Sequence, residues 1–506
     1  MTKELSSNRR IAKNTVFLYI RMLVTLVVSL YTSRVILKNL GVSDFGIYNV
    51  IGGVIVLFSF LSNALKISTQ RFISFELGLG KNGNPNRVYC MSLQCLVLIS
   101  VIIFILAETI GLWFVNSKLN IPADRMEATQ WVYQITILTF IVHFFQVPFQ
   151  ATIIAYERMS IYAYIGIIDV VLKLVVAMLI SVCPFDKLIV YSALLLLVSS
   201  ISLFIPALYC KKSIKIGSFH FIKDKELFKR VMGFSGWSMV SGCSVITAQQ
   251  GGNILLNVYN GVVANGAYGI ANQVSGAIYS FVSNFQSAFQ PQIVKQYASG
   301  EYKSMHLLMD RAAVFSYYLL LLLTIPFCVA ADYVLQLWLG QVPEYAAGFI
   351  VLMLLYSLID AIEAPLWMLI GATGKMKVYT IWSSSITVIN IPLSWGLLSQ
   401  GYNVYWVFII RTGLNFVCAI IRPLYVRSLV ETFSIRKFAS NLLKPIIVSI
   451  ILIVVFLLYY VLPLEVEPFI RIVLSFIFTL IVIWLFGLKR DEKQWLKSII
   501  INKLLK

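Results

Sequence analysis

The sequence predicts an all-α polytopic membrane protein of about fourteen transmembrane helices, two six-helix lobes followed by two further helices. Three observations predict it. The 506 residues are 59% hydrophobic and 12% charged, with a mean hydropathy of +0.84; a soluble domain is roughly 45–50% apolar and about 25% charged. Apolar runs near the roughly 20 residues that cross a bilayer recur along the whole chain. The short connections between them alternate between basic and acidic, the bias that orients helices in a membrane.

The runs fall at 14–37, 44–66, 89–115, 129–150, 161–183, 187–209, 231–256, 262–288, 307–330, 345–369, 377–399, 402–422, 443–462 and 468–488. The first follows a basic leader, MTKELSSNRRIAKN. It is too long for a signal-peptide core and lacks a clear small-residue cleavage site, so it reads as a retained helix. Basic residues gather in that leader, between spans two and three (Lys66, Arg71, Lys81, Arg87) and in the six-to-seven connection KKSIKIGSFHFIKDKELFKR. They recur at Lys375 and Lys377, at Arg422, Arg427, Arg436, Lys437 and Lys444, and in the tail. The intervening connections are short and often acidic, with Asp44, Asp186, Asp332, Glu344, Glu465 and Glu467. With fourteen spans every basic connection falls on one side, which predicts both termini in the cytoplasm. The net charge of +19 therefore reports orientation, and nucleic acid is excluded as a partner. No connection is long enough for a soluble domain or for the outer loop a membrane glycosyltransferase or polymerase needs, so no enzyme is expected. RFISFELGLG (71–80) and WLKSIIINKLL (495–505) are expected to lie along the membrane surface.

Seven cysteines, at 90, 95, 183, 210, 243, 328 and 418, are scattered through apolar sequence. Neither a disulfide framework nor a zinc site is implied, and no cofactor or metal is expected. His143, in an apolar run, reads as a packing residue.

An internal repeat sets the lobes. FGIYNV (45–50) resembles YGIANQ (268–273), aligning Gly46 with Gly269, Ile47 with Ile270 and Asn49 with Asn272. The displacement is about 220 residues, or six helices. An even number gives parallel repeats, which stand around an axis along the membrane normal with the substrate between them. The expected division is an N-lobe at 1–210, a cytoplasmic linker at 211–230, a C-lobe at 231–425, and helices thirteen and fourteen with a basic tail at 426–506. In the eighth helix Asn265, Gly269, Asn272, Gly276, Ser280, Ser283, Ser287 and Gln290 step by three or four residues along one stripe. The second helix has a weaker version in Asn49, Gly52, Ser59, Asn63 and Lys66. Small residues favour close helix packing; the amides exceed what packing needs and predict the wall of a hydrated cavity. QQGGN (249–253) in the seventh helix is either an unwound spot near that cavity or a packing site.

Charges inside apolar runs are costly and mark pathways. Arg21 lies in span one, and Arg34 near its outer end serves either as an interface anchor or as a cavity cation. Lys173 stands four residues after Asp169, the spacing of an intrahelical ion pair. Arg411 is mid-span in helix twelve with no acid on its own helix. Asp360 and Glu363 in helix ten are candidate partners for Arg411 or candidate ion-coupling acids, and Pro365 should kink or break that helix. Guanidinium forks bind phosphate oxygens in pairs, so cations in both halves suit a pyrophosphate or acidic sugars and repel cationic drugs.

The first hairpin, RVILKNLGVSDFGIYNVIGGVIVLFSFL followed by TQRFISFELGLG, carries a G-x-x-x-[FY]-G-x-[YF] pattern at Gly41, Phe45, Gly46 and Tyr48. In this the chain resembles the multidrug/oligosaccharidyl-lipid/polysaccharide (MOP) exporter superfamily, and within it the polysaccharide-transport branch of Wzx-type O-antigen and capsule flippases. The resemblance implies a MATE-like fold and alternating access. It implies translocation of an undecaprenyl-pyrophosphate-linked oligosaccharide across the bacterial inner membrane, for lipopolysaccharide O-antigen or capsule. The implied partners are that lipid-linked glycan, membrane lipid, H+ or Na+, and a polysaccharide polymerase. Candidate substrate-binding residues are Arg21, Arg34, Lys173, Arg411, Asn49 and Asn272; candidate ion-coupling acids are Asp360, Glu363 and Asp169. A cation-coupled multidrug exporter, a lipid II flippase and a membrane enzyme acting on the same carrier are the alternatives.

Overall fold

A computed structural model describes residues 14–29, 31, 32, 35, 36, 38–40, 44, 47, 48, 51, 59–118, 123–216, 219–339, 342, 344–461, 467–489, 492 and 493. Arg34, Asn49, Gly46 and the tail segment 495–505 lie outside these residues. The described chain is helical, with no strand. Eleven of its helices are long and apolar enough to cross a membrane. These are α3 (Pro85–Ser117), α4 (Met126–Ala155), α5 (Met159–Val182), α6 (Lys187–Ile214), α7 (Lys225–Gly261), α9 (Tyr302–Val329), α10 (Ala346–Thr373), α11 (Met376–Ser399), α12 (Trp406–Leu429), α13 (Ile435–Leu457) and α14 (Pro468–Gly487). Three more helices occupy the remaining expected runs: α1 (Asn14–Ser29), α2 (Ser59–Gly78), and α8 (residues 262–298), the second half of a helix that runs from Lys225 to Ala298. That helix breaks at Gly261, whose φ of 71° and ψ of −165° a side chain would resist.

Two compact units emerge, residues 10–242 and 243–506. In the first, α2 packs on the C-terminal part of α4, and α4 lies along α6. Leu65, Leu96, Ile99, Ile103, Phe144 and Val147 form one core, with Met232 and Met239 of α7 against it. The outward face of α3, including Val97, Val101 and Ile105, is exposed and apolar, as a lipid-facing stripe requires.

The ends of this unit are tied by charge. The Arg125 guanidinium grips Asp44 (Nε–Oδ1 2.9 Å, Nη2–Oδ2 2.6 Å) and Asp186 (Nη1–Oδ2 2.5 Å, Nη2–Oδ1 3.3 Å). Asp186 also caps α6 by accepting from the Leu188 and Ile189 amides. One arginine thus joins the connections between spans one and two, three and four, and five and six. At the other end Arg87 pairs with Asp224, joining the two basic connections. Their segregation fits six spans in this half.

Two expectations change. RFISFELGLG does not lie as a separate surface helix. It continues α2 as far as Gly78, and Gln70, Arg71, Phe72, Ile73 and Ser74 are buried. The Arg71 guanidinium lies over the rings of Phe72, Phe75 and Phe234, so the cation is absorbed by aromatic packing. Pro365 does not break α10, which runs on to Thr373; buried helices re-satisfy the carbonyl a proline frees. Of the two alternatives for QQGGN the structure has the packing site: it is continuous helix, with Gly251 close against Ile391 and Gly252 against Val407.

In the second unit α10 is the central helix, packed on α9 and α12. Phe349, Ile350 and Leu354 of α10 meet Leu256, Tyr268, Ala271, Val407 and Phe408 in one core. Val448, Leu452 and Val482 bring α13 and α14 onto Leu320 and Leu321 of α9.

Candidate substrate sites in the two units

In the first unit two cations from neighbouring helices converge on one tyrosine. Arg21 of α1 lies over the Tyr162 ring at 4.5 Å, and Lys66 of α2 over the same ring at 4.8 Å. Lys66 Nζ donates to Tyr162 Oη at 2.9 Å and to Gln150 Oε1 at 3.3 Å. Gly166, one helical turn beyond Tyr162, makes room for this: a Cβ there would stand 2.8 Å from Arg21 Cδ. Among the described residues no carboxylate pairs with Lys66. The hydrogen bonds continue along α4, where Gln150 donates to Gln146 and Gln146 donates to the Ser199 carbonyl. The sequence marked Arg21 but counted Lys66 among loop charges; its place in the Asn63–Lys66 stripe, and the Gln146/Gln150 pair one turn apart in an apolar run, were the available signals.

Lys173 is not part of this cluster by any bond. It pairs with Asp169 at 2.7 Å, as the four-residue spacing predicts, and Ser202 donates to the other carboxylate oxygen at 2.9 Å. His143 of α4 is within electrostatic reach of both charges.

In the second unit Arg411 lies over the Tyr356 ring at 4.6 Å. It lines a cavity of about 220 Å³ with Gln249, Asn272, Tyr279, Phe408 and Thr412, among others. Asn272 and Gly276 of the small-polar stripe form part of that wall. Farther along, Ser280, Ser283 and Ser287 donate to their own helix backbone. A smaller cavity of about 40 Å³ shares Tyr356 and Arg411 as lining residues.

Arg411 does not pair with Asp360 or Glu363. Asp360 accepts from the Tyr279 hydroxyl. Glu363 pairs with Arg422, both side chains buried. Arg422, counted from sequence among cytoplasmic loop charges, is therefore an interior residue of α12. It stands eleven residues, three turns, from Arg411 on the same helix face. Glu363 Oε1 and Arg422 Nε are buried without hydrogen-bond partners. No cluster of His, Cys, Asp and Glu suited to a metal ion occurs among the described residues.

A profile of the polysaccharide biosynthesis protein family matches residues 9–297, more than half of the chain. The chain belongs to this family. A MatE profile matches residues 238–395 of this polysaccharide biosynthesis protein. Among curated proteins it is 23% identical over 431 residues, 84% of each chain, to an uncharacterized membrane protein, EpsK, of Bacillus subtilis (strain 168). Among solved structures it is similar to a MATE in complex with MaL6, with a TM-score of 0.70 at 13% identity, covering 83% of this chain and 98% of that one. It is likewise similar to a MOP superfamily transporter from Pyrococcus furiosus Vc1, at 0.68 and 14%, covering 84% and 96%. These identities carry the fold, which is MATE-like. Together with the family match they put this multi-pass membrane protein in the polysaccharide-transport branch of the MOP superfamily.

Proposed function

We propose that the protein is a flippase that moves a polyprenyl-pyrophosphate-linked oligosaccharide from the cytoplasmic to the outer leaflet of a bacterial inner membrane, feeding O-antigen or capsule assembly. The observation that carries this is the convergence of Arg21 and Lys66 on Tyr162. Two cations held side by side on neighbouring helices, with no carboxylate on Lys66 among the described residues, stabilise an anion that brings its own charge. The polyprenyl tail stays in lipid, while the polar headgroup needs a cationic path because an isolated charge in hydrocarbon costs several kcal/mol. Residues 1–210 and 231–425 act as the N- and C-lobes of an alternating-access cycle, the 211–230 segment linking them. Ligand shifts such an equilibrium only by its differential affinity for the two states.

Coupling to H+ or Na+ falls to the acids Asp360, Glu363 and Asp169. Asp360 is the best placed, because its Tyr279 partner lines the Arg411 cavity and so touches whatever fills it. The chemistry is transport, not catalysis. A multidrug exporter of the same fold calls for a largely apolar pocket; this one sets Gln249, Asn272 and Arg411 among Leu352, Met353 and Phe408.

The test is leaflet-resolved lipid analysis after depletion of the protein. Accumulation of lipid-linked oligosaccharide on the cytoplasmic leaflet, with loss of surface glycan, is expected, and the accumulated sugar identifies the cargo. Unchanged surface glycan with new sensitivity to cationic dyes would replace this reading with drug export.

A further inference from the structure

We infer that the connection between α6 and α7 carries a lipid-docking strap, residues 219–225, that seats on the anionic headgroups of the cytoplasmic leaflet. This is independent of the cargo and rests on the orientation that puts the basic connections in the cytoplasm. Residues 219–224 are not helical, and α3 holds them at three places. Arg87 pairs with Asp224, which also accepts from the Glu226 and Leu227 amides at 3.0 Å each and so caps α7. His220 Nδ1 stands 3.6 Å from Cys90 Sγ, within reach of a thiol hydrogen bond. The Gln94 side-chain amide, oriented so that both bonds form, donates to the Ile222 carbonyl at 3.2 Å and accepts from the Ile222 amide at 2.8 Å.

These three positions fix the level of the strap. Arg87, Cys90 and Gln94 step by three and four residues into Val97, Val101 and Ile105, so all six share one face of α3. The last three are exposed and apolar, the lipid-facing stripe, whereas Cys90 on the same face is fully buried. Gln94 is about 5 Å along the axis from Val97. The strap therefore lies on the lipid side of the first unit, where headgroups give way to hydrocarbon. There it presents Phe219 and Phe221, 59% and 69% exposed. Aromatic rings at this level bury themselves in the interface. Lys223 and Lys225 of the strap are exposed, as are Lys211, Lys212 and Lys215 on the approach to it. The nearby acids are answered within the chain, Asp224 by Arg87 and Glu226 by Arg230 at 4.0 Å. A cationic surface with two rings at its centre matches an anionic leaflet, and a soluble partner would have to displace lipid to reach the rings.

Hydrogen-exchange mass spectrometry on the full-length protein tests this in phosphatidylcholine nanodiscs with and without phosphatidylglycerol. With phosphatidylglycerol the 219–223 amides should exchange roughly fivefold more slowly or better, the worth of one lysine at an anionic surface. The Leu188 and Ile189 amides at the other end of the unit should not change. Both faces of the disc carry the anionic lipid, so orientation does not enter the result. High salt should erase the difference. Lys223→Gln with Lys225→Gln should remove most of the phosphatidylglycerol effect, and Phe219→Ser with Phe221→Ser should speed exchange in both discs. Melting curves of the variants exclude misfolding as the cause. Equal exchange of the wild type in the two discs overturns the proposal, and so does an undiminished effect in the lysine variant. Benzoylphenylalanine in place of Phe221 should crosslink to lipid on illumination; capture of a protein segment instead overturns lipid as the occupant.

Discussion

Arg21, Lys66, Arg411 and Arg422 show how little the presence of a buried cation says until its partners are known. Lys66 hydrogen-bonds to a tyrosine and an amide, Arg411 rests on a tyrosine ring, and Arg422 is neutralised by Glu363. Lys66→Gln should therefore weaken cargo binding by about 10- to 100-fold, the worth of one charged hydrogen bond, at about 1.5–3 kcal/mol. Competition with lipid-linked oligosaccharide in proteoliposomes measures it, and unchanged affinity would remove Lys66 from the site. Arg422→Leu should instead destabilise the fold by about 3–5 kcal/mol, because Glu363 is left charged and buried; Arg422→Leu with Glu363→Leu should recover most of the loss. Thermal unfolding of the purified variants reads this. A double variant no more stable than Arg422→Leu would show that the pair does more than cancel itself.

The helices of the first unit are held at one end by a side chain the hydropathy pattern does not flag. Arg125 binds both Asp44 and Asp186, so a helix pair cannot move there without breaking charge-assisted bonds. Arg125→Gln should cost about 1–3 kcal/mol and raise hydrogen exchange at the capped Leu188 and Ile189 amides. Unchanged exchange would mean that the Asp186 cap stands without the arginine. The clamp also has a pH dependence. Partial burial pushes the Asp186 carboxyl up, but the Arg125 guanidinium and the Ile189 and Leu188 amides outweigh it and hold its pKa below the usual carboxylate value. A carboxyl with a depressed native pKa contributes stability that is complete above its unfolded value, near 3.8, and is lost as pH falls through the native value. The stability difference between wild type and Asp186→Asn should accordingly be constant at neutral pH and shrink below about pH 4.

For the whole molecule the spans and the tied connections make one topological statement. Arg87 meets Asp224 at one end of the first unit, and in the second the Tyr425 hydroxyl donates to the Lys375 carbonyl while Tyr345 packs on Tyr405 at the opposite end. With fourteen spans, Lys212 and Lys375 belong on the same membrane face. Cysteines placed there should react with an impermeant label from the same side, the cytoplasmic one; labelling from opposite sides would break the topology and the parallel repeat with it.

Length and polarity were enough to find the helices. Twenty apolar residues have one stable form in a membrane, because hydrocarbon satisfies no backbone group and the helix satisfies its own. The loop charges added the order of the ends, and the first hairpin pointed to the family. The four-residue spacing of Asp169 and Lys173 named its own ion pair, since helical geometry is local. Partners across helices were not legible in this way. Arg422 sits at the last position of the apolar run and looks like a loop charge, yet α12 runs on to Leu429 and turns it inward onto Glu363. Asp360 met Tyr279 instead of an arginine, Lys66 joined Arg21 through a tyrosine far along the chain, and Gln249 and Tyr356 became cavity walls. Each of these depends on which helix faces are packed together, a many-body outcome that hydropathy, a one-dimensional average, cannot encode.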